Sequence, residues 1–219
     1  MLKEPFVMVN FKTYKESTGR NGIKLAETLA RVRGNIAFCP QTTDIREIAK
    51  LKVPVFAQHI DPIEYGRNTG WLLAEAVKEA GASGTLINHS EHQLCFDDIK
   101  KCVKACRRAK LISVVCAANK RIVGLIAKLK PDYIAIEPPE LIETGLAVSQ
   151  VRPKVVLDAV KAAKKVNQNA KVVCGAGISK GEDVKKALEL GTVGVLVSSA
   201  IIKAKKPEEV LKEMVKNAI

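Results

Sequence analysis

Glu137 stands at the end of the apolar run Tyr133-Ile134-Ala135-Ile136 and is followed at once by Pro138-Pro139. The run reads as a buried strand, and the prolines cannot continue its ladder. The carboxylate therefore falls where a strand gives way to a loop, in a half-apolar setting that raises its basicity by desolvation. A helix cap or a surface ion pair is the plainer use of such a residue, because structural pairs also perturb carboxylates. Its companions shift the balance. Asn10 and Lys12 follow one apolar run, Asn88-His89-Ser90-Glu91 another, and Gly175-Ala176-Gly177 and Ser198-Ser199 two more. A carboxylate, an imidazole and an ammonium on one rim suit acid–base chemistry. The two small-residue turns let backbone N–H groups approach an anion such as phosphate. Each feature alone is weak; a lone histidine is more often structural. The glycine segment 175–181 is not the dinucleotide fingerprint, because its third glycine comes one position late.

These residues share a rim only if the intervening elements place them there. Eight β-branched runs read as strands, at 6–9, 36–38, 53–57, 85–88, 111–116, 133–137, 171–174 and 194–197. Segments of helical period follow at 22–33, 43–51, 71–80, 97–109, 119–129, 152–167, 181–190 and 207–218. Asp97-Asp98 and Pro207-Glu208-Glu209 carry helix-start signals, and Gly34, Gly81 and Gly191 carry stop signals. Strands buried on both faces and separated by helices imply a parallel sheet with right-handed crossovers. Eight such units without a linker predict an α/β fold, a closed (β/α)8 barrel with shortened helices, as one domain over residues 1–219. A doubly wound open sheet is the alternative. In a closed barrel, chemistry sits at the C-terminal ends of strands, and the loops after strands seven and eight commonly hold phosphate.

Composition sets limits on partners. The 219 residues are 47% hydrophobic but only 4% aromatic, enough for one large core of Val, Ile, Leu and Ala. The net charge of +13 raises the question of an anion- or nucleic-acid-binding barrel. The paired lysines and arginines are spread over helix faces and ends, however, with no extended run interleaved with aromatics, so no nucleic-acid partner is expected. Six cysteines include no C-x-x-C pair and no zinc spacing, so no metal is expected and a reduced, cytoplasmic chain is the simplest account. The start of the chain lacks the apolar core of a signal peptide, and no stretch approaches the ~20 apolar residues that span a bilayer, so no membrane partner is expected.

Three separated motifs carry a resemblance. Val9-Asn10-Phe11-Lys12-Thr13-Tyr14, Asn88-His89-Ser90-Glu91, and Ile136-Glu137-Pro138 with Thr144-Gly145 resemble the triosephosphate isomerase family in its short archaeal form. The resemblance covers essentially the whole chain in the same order. It implies a TIM barrel that interconverts dihydroxyacetone phosphate and glyceraldehyde 3-phosphate through an enediolate, with no metal or organic cofactor. It implies that Glu137 is the base that moves the proton, that His89 is the neutral electrophile, and that Lys12 is the cation offsetting enediolate and phosphate charge. Asn10 would bind substrate, and Glu91 would support Lys12. Ile142, Gly177, Ser198 and Ser199 would surround the phosphate. A short helix starting just after His89 would disfavour imidazolium. The archaeal resemblance also implies a homotetramer.

Proton abstraction beside a carbonyl needs a base and a donor aimed at the developing oxyanion, which fits the first two roles independently. A lid closing over residues 138–146, hinged at Pro138-Pro139 and Thr144-Gly145-Leu146, would exclude water. Two departures from the family pattern fall at the phosphate end. Glu143 stands where the family usually has glycine, and its carboxylate is expected to point to solvent. Serines 198 and 199 replace glycines, keeping the N–H groups while constraining the turn. A different phosphate-handling barrel enzyme sharing only the glycine turns is the remaining alternative; the lysine after strand one and the histidine after strand four argue against it.

Overall fold

The computed structural model describes residues 2–138 and 152–218. Eight parallel strands form one sheet: β1 (Phe6–Asn10), β2 (Ile36–Cys39), β3 (Phe56–Ala57), β4 (Gly84–Ile87), β5 (Ile112–Ala117), β6 (Tyr133–Ile136), β7 (Val172–Cys174) and β8 (Gly194–Val197). Their spatial order is β2-β1-β8-β7-β6-β5-β4-β3. The ends of that order meet through a parallel bridge between Phe38 and Val55, with the Phe38 N–H donating to the Pro54 carbonyl at 3.0 Å. The sheet therefore curls into the expected (β/α)8 barrel.

Period-two alternation divides each strand between two cores. Phe6 and Met8 of β1 join Ala37, Phe56, Leu86, Val114, Ala135, Val173 and Leu196 in a cluster supplied by all eight strands, which fills the barrel interior. Val7 and Val9, the alternate residues, join the larger cluster under the surrounding helices. With both faces covered, the strands read as continuous apolar runs, and β1, β2, β4 and β6 are buried at every position.

The outer layer is α1 (Arg20–Leu29), α2 (Ile45–Ile48), α3 (Ala74–Glu79), α4 (Phe96–Ala109), α5 (Lys120–Ala127), α6 (Pro153–Val166), α7 (Gly181–Glu189), α8 (Ser199–Ile202) and α9 (Pro207–Lys216). Proline opens α6 and α9, where its missing N–H costs no helical bond. Asn119 caps α5, its side-chain oxygen accepting from the Arg121 and Ile122 N–H groups at 3.1 Å each. Several helices are short, but α4 and α6 run to 14 residues each. The helix expected over 43–51 is a four-residue α-helix flanked by 3-10 turns at Thr42–Asp44 and Ala49–Leu51.

Two expectations need correction. The third strand, read as 53–57, contracts to two residues because Pro54 has no N–H to give a ladder. The turn expected at Ser198-Ser199 is the start of α8, a single helical turn too short to show a period. Among the described residues no helix is long and apolar enough to cross a membrane.

Candidate active site

The strand ends that carry Lys12, His89 and Glu137 are tied to neighbouring strands by hydrogen bonds reaching across the rim. After β1, the Lys12 backbone adopts a left-handed conformation (φ 48°), uncommon for a residue with a side chain. Its N–H donates to Asn10 Oδ1 at 3.0 Å. Its carbonyl accepts from Gln58 Nε2 at 3.0 Å, and the same nitrogen reaches the Cys39 carbonyl, so the ends of β1, β2 and β3 are tied together. Ser198 Oγ donates to the Asn10 carbonyl at 2.7 Å and adds β8. The nearly buried Lys12 ammonium lies 2.5 Å from Glu91 Oε1.

After β4, Asn88 is also left-handed (φ 61°). It donates to the Cys116 carbonyl and accepts from the Leu94 N–H, both at 2.9 Å, which aims the next residue into the barrel mouth. The Glu91 N–H donates to His89 Nδ1 at 3.2 Å. A nitrogen that accepts carries no proton, so the ring's hydrogen belongs on Nε2. The segment after His89 is a turn closed by the His92 N–H on the His89 carbonyl at 2.8 Å, rather than the expected short helix. One aligned N–H thus takes the place of a helix dipole. Burial lowers the His89 pKa, the Glu91 charge raises it and the Lys12 charge lowers it again. The balance favours the neutral imidazole.

After β6, the Glu137 N–H donates to the Ala117 carbonyl at 2.9 Å, continuing the strand by one residue. Its side chain is 2% exposed. Among the described residues neither carboxylate oxygen finds a hydrogen bond of ordinary geometry. Burial pushes its pKa from 4.5 up to about 8; the Cys116 thiol, the Lys12 charge and the Ser90 N–H pull it down only partly, and Glu91 opposes them. Glu137 Oε2 lies 3.7 Å from His89 Nε2. A basic carboxylate therefore faces a neutral N–H donor.

Beside Glu137 along the rim, after β7 and β8, lies the anion-friendly side. Gly177, left-handed at φ 72°, precedes the start of α7. The buried Asp183 carboxylate holds that turn, accepting from the Ser179 N–H and hydroxyl at 2.9 Å each and from the Lys180 N–H at 3.1 Å. Asn10, Lys12, His89, Glu137, Gly177, Ser198 and Ser199 line one cavity of about 360 Å³. Ile142 lies outside the described residues, as do Glu143 and the hinge Thr144-Gly145. Leu196 also lines the cavity and was not singled out from sequence; the register of the barrel brings it there.

A parallel barrel whose C-terminal rim opposes a carboxylate to an imidazole, beside a lysine and two small-residue turns, defines an acid–base enzyme acting on a small anion. The family model for triosephosphate isomerase matches residues 5–218. The triosephosphate isomerase of Methanothermus fervidus is 48% identical over 219 residues, covering 98% of this chain and 99% of that protein. That of Methanocaldococcus jannaschii is 48% identical over 215 residues, with 96% and 98% covered, and that of Methanosarcina acetivorans is 43% identical over 217, with 97% and 98% covered. The chain belongs to the triosephosphate isomerase family, isomerases that interconvert dihydroxyacetone phosphate and glyceraldehyde 3-phosphate in glycolysis.

Proposed function

We propose that this chain performs that interconversion with Glu137 as its base, His89 as its electrophile and Lys12 as its cation. The observation carrying the reading is the facing pair Glu137 and His89, one made more basic by burial and the other kept neutral. Glu137 takes a proton from the carbon beside the substrate carbonyl. Electrons move onto the carbonyl oxygen, giving an enediolate. The His89 Nε2–H, aimed at that oxygen, stabilises charge only as it develops, the interaction that accelerates rather than merely binds. Glu137, now a carboxylic acid, returns the proton to the neighbouring carbon while protons shift between the two oxygens. Lys12, steadied by Glu91, offsets the charge of both enediolate and phosphate, and Asn10 contacts substrate beside it. Gly177, Ser198 and Ser199 supply backbone N–H groups to the phosphate, and Ile142 is a further substrate-binding residue.

A coupled assay on glyceraldehyde 3-phosphate tests the reading. Turnover without added metal or cofactor supports it, and phosphate binding without isomerisation defeats it. The pH profile tests the base separately. A base works only when ionised, and raising the pH through its pKa increases the ionised fraction. The kcat/KM of the free enzyme is therefore expected to climb through an acid limb near pH 8. A limb at ordinary carboxylate pH, near 4.5, would contradict the raised pKa of the buried carboxylate.

We further propose one domain over residues 1–219, a homotetramer and a cytoplasmic location. Tyr65 and Trp71 on the loop after β3, with Phe96 opening α4, expose large apolar side chains that assembly would cover. Light scattering should give four times the 23.8 kDa chain mass; a monomer's mass would refute assembly. A single melting transition of the monomeric unit supports one domain, and two would oppose it. Six free thiols and a phosphorylated metabolite as substrate suit the cytoplasm. Activity confined to another cell fraction would count against that location.

A further inference from the structure

Gly175, the residue after β7, sits beside the base. Its N–H donates to the Ile136 carbonyl at 3.0 Å, and Ile136 immediately precedes Glu137. On the opposite side, the Glu137 N–H is bonded to the Ala117 carbonyl of β5. The base is thus laced between two neighbouring strands, and its side chain leans over the β7 side. A Cβ built on Gly175 would lie 2.6 Å from Glu137 Cγ, 2.8 Å from Oε1 and 3.1 Å from Cδ. Its three nearest neighbours are all atoms of that one side chain. Backbone conformation does not demand glycine here. Gly177, two residues on, is left-handed, but Gly175 is not among the positive-φ residues. The missing Cβ matters for space, and the space is occupied by the carboxylate.

We propose that Gly175 is a positioning residue, its bare backbone leaving the volume in which the Glu137 side chain stands opposite His89. This rests on the assignment of Glu137 as base. A methyl group at 175 would force the Glu137 side chain to retreat by about 0.8 Å to restore an ordinary 3.4 Å contact. The retreat is comparable to the misplacement of ~1 Å that can cost ~10²-fold in rate. The carboxylate cannot retreat freely, since it is buried and the strand around it is fixed on both sides.

Two measurements on Gly175→Ala test this. In the coupled assay, kcat should fall on the order of 10²-fold while KM, and inhibition by inorganic phosphate, change little. That split separates a displaced base from a collapsed phosphate turn. Unchanged kcat, or a loss matched by weakened phosphate inhibition, would overturn the proposal. The second measurement is thermal melting of the wild type, Gly175→Ala, Glu137→Ala and the double variant. Removing the Glu137 side chain beyond Cβ removes the close contacts, so Gly175→Ala should lower Tm in the wild-type background and not in Glu137→Ala. An equal drop in both backgrounds would overturn the contact. If Gly175→Ala fails to fold, the double variant should fold, and its failure too would refute the idea. Melting requires no turnover, so a wild-type chain without isomerase activity would sink the functional reading while leaving the contact to be judged separately.

Discussion

Glu137→Gln is expected to lower kcat by about 10³- to 10⁴-fold, the upper part of the ~10²–10⁴ range that a positioned acid–base group supplies. Glutamine keeps the length and nearly the shape of the side chain and removes only its basicity. Glu137 has no ordinary hydrogen bond to lose among the described residues. The substitution should therefore spare the fold. The sign of the ionisation effect agrees. Burial raises the folded-state pKa to about 8 from 4.5, so ionising the carboxylate between those values costs stability, which is full below 4.5 and declines as pH rises through about 8. A neutral amide escapes that decline. Above pH 8 the variant should melt no lower than the wild type while remaining nearly inactive. A kcat within tenfold of wild type would remove Glu137 from the chemistry.

His89→Asn is expected to cost about 10²- to 10³-fold in kcat, the loss typical of deleting one preorganised oxyanion donor. The shorter amide cannot carry an N–H to the position of Nε2. Binding should suffer less, because Lys12, Asn10 and the backbone turns at Gly177 and Ser198 are held by other bonds. The signature is a fall in kcat larger than any rise in KM. An equal effect on KM alone would mean that His89 binds substrate rather than stabilising the enediolate.

Much of this was legible in the chain for one reason: a barrel strand buried on both faces is an unbroken apolar run, and the first polar residue after it lies on the rim. That rule puts Asn10, Asn88 and Glu137 on the rim, with Lys12 and His89 following closely after the first two. It failed where local chemistry interrupts the pattern. Pro54 shortens β3, and the four residues of α2 and of α8 complete barely one turn, leaving no period to detect. The supports of the site were less visible. Gln58 binding the Lys12 carbonyl and Gly175 standing against the Glu137 side chain both depend on which strand ends adjoin. Such neighbours are set by closure of the barrel, over separations that no local window spans. The short helix expected after His89 is a turn, in which the Glu91 N–H donates to Nδ1, while burial lowers the ring's pKa.

Proton exchange at the substrate carbon tests the central claim most directly. Dihydroxyacetone phosphate incubated with the protein in deuterium oxide and followed by proton NMR should take up deuterium at the carbon beside the carbonyl. Glu137→Gln, folded and at equal concentration, should leave that carbon protonated over the same time. Exchange persisting at the wild-type rate in the variant would contradict the assignment of Glu137 as the base.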